Sequence, residues 1–135
     1  MLRPKRAVCN ELFAGMSFEE TCDYLAAFGF DGVEIAPFTL FERAGAEKGR
    51  STSSLKQTME LTGIEYAGFH WLFSKPEGLH ITSPDPGTRR RTREHLTYLL
   101  ELSGELVGGN LILGSPSQRQ AVGIPPEEAV KYLRE

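Results

Sequence analysis

Gly29-Phe30-Asp31-Gly32-Val33-Glu34-Ile35-Ala36-Pro37 is the stretch on which the fold turns. Gly29 is a helix stop, Asp31-Gly32 is turn chemistry, and a short apolar run follows with a single carboxylate inside it. The segment therefore reads as the end of a helix, a tight turn and a strand over residues 32–38. Val33 and Ile35 share one face of that strand and Glu34 lies on the other. An unpaired charge in a buried strand is costly, so Glu34 needs a partner or a polar pocket.

Upstream, Ala7-Val8-Cys9-Asn10-Glu11-Leu12-Phe13 is short and apolar-rich, as a buried strand would be. Ser17-Phe18-Glu19-Glu20 has the form of a capping box. Phe18, Cys22, Leu25 and Ala26 then recur at helical spacing as far as Gly29. Downstream, residues 39–50 are polar and contain glycine, and predict a loop. The spacing predicts a second helix over 54–62, with Leu55 and Met59 on one face and Gly63 as its stop. Ile64 to Leu72 reads as a third strand, with Ala67 and Phe69 on one face and Tyr66, Gly68 and His70 on the other. A long loop spans Phe73 to Pro84.

Asp85-Pro86 opens the third helix with an N-cap and a proline at the first helical position. Leu96, Leu99, Leu100, Ser103, Leu106 and Val107 trace its apolar face up to Gly108-Gly109. Asn110 to Gly114 is the fourth strand, and Pro125-Pro126-Glu127-Glu128 opens a fourth helix whose apolar pattern is still incomplete at Glu135.

Strict β-α alternation predicts parallel strands joined by helical crossovers. Two architectures fit it. An open doubly wound sheet would want both faces apolar, whereas these strands pair one apolar face with a face of small and polar residues. That asymmetry favours a (β/α) barrel of the TIM type. Such a barrel needs eight strands and about 250 residues. The expectation is an α/β half-barrel of four βα units forming a single domain over 1–135, cut off in helix four.

Composition narrows the function classes. The chain has 135 residues, 40% hydrophobic and 24% charged, with a formal net charge of −3. That is globular composition, with no electrostatic reason to expect nucleic acid or an anionic membrane surface as partner. Cys9 and Cys22 show neither a disulfide framework nor metal-ligand spacing, and read as small buried thiols in a reducing compartment. Met1-Leu2-Arg3-Pro4-Lys5-Arg6 is basic without the apolar run of a signal peptide. No stretch approaches the length of a membrane span. A cytoplasmic location is expected.

Three motifs in order, Val8 to Phe13, Gly29 to Pro37 and Gly68-Phe69-His70-Trp71-Leu72, resemble the xylose-isomerase-like barrel family of sugar-phosphate isomerases and epimerases. The Gly-Phe-Asp-Gly-Val-Glu run into strand two and the Gly-x-His ending of strand three are habits of that family. Leu79-His80-Ile81-Thr82-Ser83-Pro84-Asp85, leading into the third helix, is similar too. The resemblance covers the chain from Ala7 onward and implies the N-terminal half of such a barrel. It implies proton removal next to a carbonyl, assisted by a divalent ion (Mn, Mg, Co or Zn), with a small sugar as substrate. In the family the metal ligands and the proton-moving glutamates lie on strands five to eight. No position here matches them, so the resemblance implies no metal ligand and no catalytic residue in this chain.

The candidate substrate-binding residues are His70, Glu34, Glu11, Asn10 and Trp71. His70 ends strand three on its polar face, at the C-terminal strand ends where barrel active sites sit, and can bind a sugar hydroxyl or a metal. Glu34 is either a pocket carboxylate or half of a structural ion pair. Asn10 and Glu11 end strand one and offer hydroxyl-binding groups. Trp71 and Phe73 flank the same mouth and could stack on a sugar ring or simply pack. Ser115-Pro116-Ser117-Gln118 lines the pocket by position, and His80 is an exposed loop histidine that could belong to a lid. Arg89-Arg90-Arg91 with Arg93 oppose the dipole of their helix and read as a solvated, acid-paired face, with His95 structural beside them.

Two alternatives remain. A metal-dependent phosphoesterase of the apurinic-endonuclease type would use His70 as a ligand, but would want a histidine where Gly114-Ser115 stand. A non-catalytic half-barrel could pair with a second copy through its open strand edges, forming a homodimer.

Overall fold

The computed structural model describes residues 3–41 and 51–135. The 42–50 part of the expected loop and the first two residues lie outside the described residues. Four strands form one parallel sheet: β1 (Ala7–Cys9), β2 (Gly32–Ile35), β3 (Glu65–His70) and β4 (Asn110–Ile112). Each is followed by a helix: α1 (Phe18–Ala27), α2 (Thr52–Thr62), α3 (Pro86–Glu105) and α4 (Pro126–Leu133). The strand order is β1-β2-β3-β4, the same as the chain order. A doubly wound sheet reverses direction at a switch point, whereas a barrel adds each strand beside the last. The sequential order makes this the first half of a (β/α)₈ barrel, with β1 and β4 each paired on one side among the described residues.

The helices begin where the sequence places caps. Ser17 Oγ accepts from the Glu20 N–H and Glu20 Oε2 accepts from the Ser17 N–H, closing the capping box. Asp85 accepts from the Gly87 and Thr88 N–H groups. The second helix starts two residues earlier than the spacing predicts, at Thr52, because Ser51 rather than a later residue caps it by accepting from the Ser54 N–H. Gly63 ends it in the left-handed conformation at φ 72°.

Hydrophobic burial sits between sheet and helices. Val33, Ile35 and Phe69 point from the sheet into a cluster with Phe18, Cys22, Leu25, Leu55, Met59, Leu99 and Leu106. Burying one such aromatic side chain contributes about 2–3 kcal/mol.

Three expectations need correction. Strand one stops at Cys9, and Asn10–Phe13 turn in a 3₁₀ helix. Strand two stops at Ile35, because Pro37 begins another 3₁₀ turn over Pro37–Thr39 and proline cannot donate to a ladder. The third correction concerns the faces of β3. The register runs Val33↔Tyr66 and then Glu34↔Gly68, so Ala67 is an extra residue in a bulge. Tyr66 therefore shares the helix side with Phe69 instead of the polar side with His70. Its ring lies 5.4 Å from that of Phe69 and its hydroxyl donates to Ser103 Oγ on α3. Gly68, at φ 143°, takes the turn of the bulge, and a Cβ there would lie 2.0 Å from the Asn110 carbonyl oxygen.

Candidate functional site

The inner face of the sheet, away from the helices, brings together the thiol, carboxylate and imidazole of Cys9, Glu34 and His70. Cys9 pairs in register with Glu34, and Glu34 with Gly68. In a pleated sheet such partners project to the same side, and His70 follows Gly68 by two residues on that side. His70 Nδ1 accordingly lies 3.1 Å from Glu34 Oε2, with the side chains 29% and 22% exposed. One donor atom from each of Cys9, Glu34 and His70 falls within 4.8 Å of the other two.

Gly114, just beyond β4, makes room for the imidazole. A Cβ at this position would lie 2.6 Å from His70 Nε2. On the other side the Trp71 ring stacks on His70, with centroids 5.2 Å apart and planes at 18°. Trp71 holds φ 58°, a conformation costly for a bulky residue and kept only when its surroundings over-determine it. The next two residues supply that constraint. The Leu72 carbonyl accepts from His95 Nε2 at 3.0 Å, which sets the proton on that nitrogen, and the Phe73 N–H donates to Ser115 Oγ at 3.1 Å.

His95 is thus structural, as expected. Ser115 is buried and holds backbone instead of lining a pocket, and Phe73 is buried in the core instead of flanking the mouth. Burial pushes the His95 imidazole below its ordinary value, opposed by its bond to Leu72.

The five candidate residues divide. Glu34, His70 and Trp71 come together. Glu11 lies on the 3₁₀ turn after β1, within electrostatic reach of Cys9, and lines a separate cleft of about 320 Å³ with Phe13, Thr21 and Thr39. Asn10 is buried and spends its amide on the protein: Oδ1 accepts from the Ala36 N–H and Nδ2 donates to Thr39 Oγ1. It ties the end of β1 to the end of β2.

Sequence reasoning missed Cys9 by treating both thiols alike. The two differ in surroundings. Burial pushes the Cys22 thiol up to about 12. Cys9 is only partly buried; burial raises its thiol, and the Glu34 charge adds to the rise. The signal available was register, since Cys9 and Glu34 are each the third residue of their strand and pair with one another. The donor set suits a zinc-type ion, because a thiolate and an imidazole favour softer divalent metals over magnesium.

Elsewhere the arginine run behaves as a paired surface. Arg89 contacts Glu135 and the Tyr132 ring, Arg90 faces Glu94, and Arg91 donates to Thr88. His80 is half-buried, not exposed, and its Nε2 is shielded without a partner among the described residues. No described helix is long and apolar enough to cross a membrane.

No protein-family model and no curated protein matches the chain by sequence. Solved structures match it by shape. A xylose isomerase domain-containing protein from Salmonella typhimurium LT2 superposes with a TM-score of 0.66 at 14% identity, over 95% of this chain and 42% of that one. A D-psicose 3-epimerase from Clostridium cellulolyticum H10, solved with D-tagatose, gives 0.66 at 18% identity over 97% and 46%. A D-allulose 3-epimerase from Methylomonas sp., in complex with D-allulose, gives 0.61 at 17% identity over 99% and 47%. The chain thus spans under half the length of each. The resemblance to xylose-isomerase-like barrels holds at the level of fold, and the shared length is that of a half-barrel.

Proposed function

We propose that residues 1–135 form the N-terminal, substrate-side half of a sugar or sugar-phosphate isomerase or epimerase. The observation that carries this reading is the Glu34–His70 contact on the inner face of the sheet, at the C-terminal strand ends. Barrel enzymes assemble their active sites there. The sugar-epimerase neighbours of the same fold support the choice of substrate class. In this reading His70 and Glu34 hold sugar hydroxyls through charge-assisted hydrogen bonds. Trp71, stacked on His70, walls the pocket and keeps the imidazole in one orientation.

The proton next to the carbonyl is removed by carboxylates from the second half of the barrel. A divalent ion, when bound, supplies polarisation of that carbonyl. The chain's own contribution is to bind and orient the sugar, which positions the carbon–hydrogen bond for the base. The phosphoesterase reading gains no support, because the place where it would want a second histidine is the space Gly114 leaves for His70.

Trp71 is the single tryptophan, so its fluorescence reports on the site. Titration with D-psicose or D-fructose is expected to give a saturable change in the range of ordinary enzyme–substrate affinities. His70→Ala is expected to weaken it at least tenfold, roughly the worth of one charge-assisted hydrogen bond. The chain alone, with manganese added, is expected to turn over no ketose. A titration without saturation, or one unchanged by His70→Ala, overturns the substrate-side assignment. Turnover by the chain alone overturns the assignment of the proton-moving groups to the second half.

A further inference from the structure

The three donors on the inner face do not require the sugar reading in order to act. From their juxtaposition on adjacent strands we infer that Cys9, Glu34 and His70 form a three-ligand site for a zinc-type divalent ion, with a fourth position open to the inner face of the sheet. Each ligand comes from a different strand, β1, β2 and β3, and the parallel register sets them side by side. Their donor atoms already lie within 4.8 Å of one another. Bonds of about 2.0–2.3 Å to zinc place tetrahedral ligand atoms roughly 3.3–3.7 Å apart. Closing the remaining gap takes about 1 Å, which side-chain rotation on a fixed backbone can supply.

The backbone there is well held. Asn10, next to Cys9, is anchored to Ala36 and Thr39, and the segment after His70 is anchored by His95 and Ser115. Strands present ligands more rigidly than loops do. Gly114 leaves room for the imidazole beside β4.

The donor types set the ion. One thiolate, one imidazole and one carboxylate match the ligand classes that zinc and cobalt(II) accept, and disfavour magnesium and calcium, which take oxygen. Three protein ligands with an open fourth position is the arrangement of catalytic zinc sites, whereas structural sites close with four. The exchangeable ligand would face the pocket assigned above to the sugar. Such a site lies on strands one to three, separate from any ligand set on later strands.

The test is cobalt(II) titration of the reduced, tag-free 135-residue chain, read as thiolate-to-cobalt charge-transfer absorption in the near ultraviolet. One equivalent is expected to develop the band, and zinc is expected to abolish it by displacement, whereas excess magnesium is not. Cys9→Ser is expected to remove the band. Glu34→Gln and His70→Ala are expected to weaken binding by roughly a hundredfold, beyond the effect of losing an outer partner. Cys22→Ala serves as the control, since Cys22 is buried in α1, and it is expected to keep the band. Circular dichroism of each variant establishes that it remains folded. The inference is overturned if wild type develops no band, or if the band survives Cys9→Ser. The readout involves neither sugar nor turnover, so failure of the metal site and failure of the sugar reading are separate results.

Discussion

The two faces of this sheet are built from the same strands and obey different rules. On the helix side Val33, Ile35 and Phe69 are fully buried in the hydrophobic cluster. On the inner side Cys9, Glu34 and His70 are all partly exposed and polar. One residue of register separates the two sets. Hydrophobic burial is non-directional and tolerates several side chains at each helix-side position. The inner face depends on specific donor atoms at specific spacings, which the bulge at Ala67 secures by letting Tyr66 and Phe69 both face the helices while His70 faces inward. The two cysteines make the same contrast: Cys22 packs as a small hydrophobe, and Cys9 stands beside a carboxylate and an imidazole.

The largest expected effect comes from removing the bulge. Gly68→Ala places a Cβ against the Asn110 backbone and forces an L side chain to φ 143°. Backbone strain and overpacking each cost about 1–3 kcal/mol, so a loss of roughly 2–6 kcal/mol is expected, measurable as a fall in the urea midpoint. If the variant folds, the altered register is also expected to separate His70 from Glu34. A variant of wild-type stability would show that the bulge does not hold the two faces apart.

A smaller effect sharpens the comparison through the histidine on the helix side. Burial holds the His95 pKa below its unfolded value of about 6.5. The unfolded chain therefore binds more protons in that window. The stabilisation from a neutral His95 is complete above about pH 6.5 and is lost as pH falls toward the folded pKa. Unfolding free energies at about pH 7.5 and about pH 5.5 are expected to differ by up to about 1 kcal/mol more in wild type than in His95→Gln. Equal differences in the two proteins would place the acid sensitivity elsewhere.

Much of the fold is legible in the sequence. Ser17 with Glu20, Asp85 with Pro86, and Gly63 mark helix ends through local chemistry, and the structure keeps each of them. Strand identity follows from apolar runs bounded by turns. Local signals do not reach across strands, and there the reading falls short. A strict period of two puts Tyr66 beside His70, and only the pairing with β2 reveals the extra residue. Asn10 looks like a binding residue because its type suits one, yet its partners, Ala36 and Thr39, are more than twenty-five residues away. Phe73 and Ser115 look like pocket residues by position and turn out to hold the backbone behind Trp71. Glu34 and His70 are legible because a polar residue in an apolar strand asks for a partner. Cys9 gives no such signal, since a thiol is at home in either setting.

An inner face that serves ligands contributes little to stability. The rival is a structural Glu34–His70 ion pair. Urea unfolding of Glu34→Gln, a near-isosteric change that removes the charge, separates them. The partly exposed pair is expected to contribute little, so the unfolding free energy should stay within about 1 kcal/mol of wild type. A loss of about 3 kcal/mol or more, the cost of breaking a buried structural pair, would contradict the account.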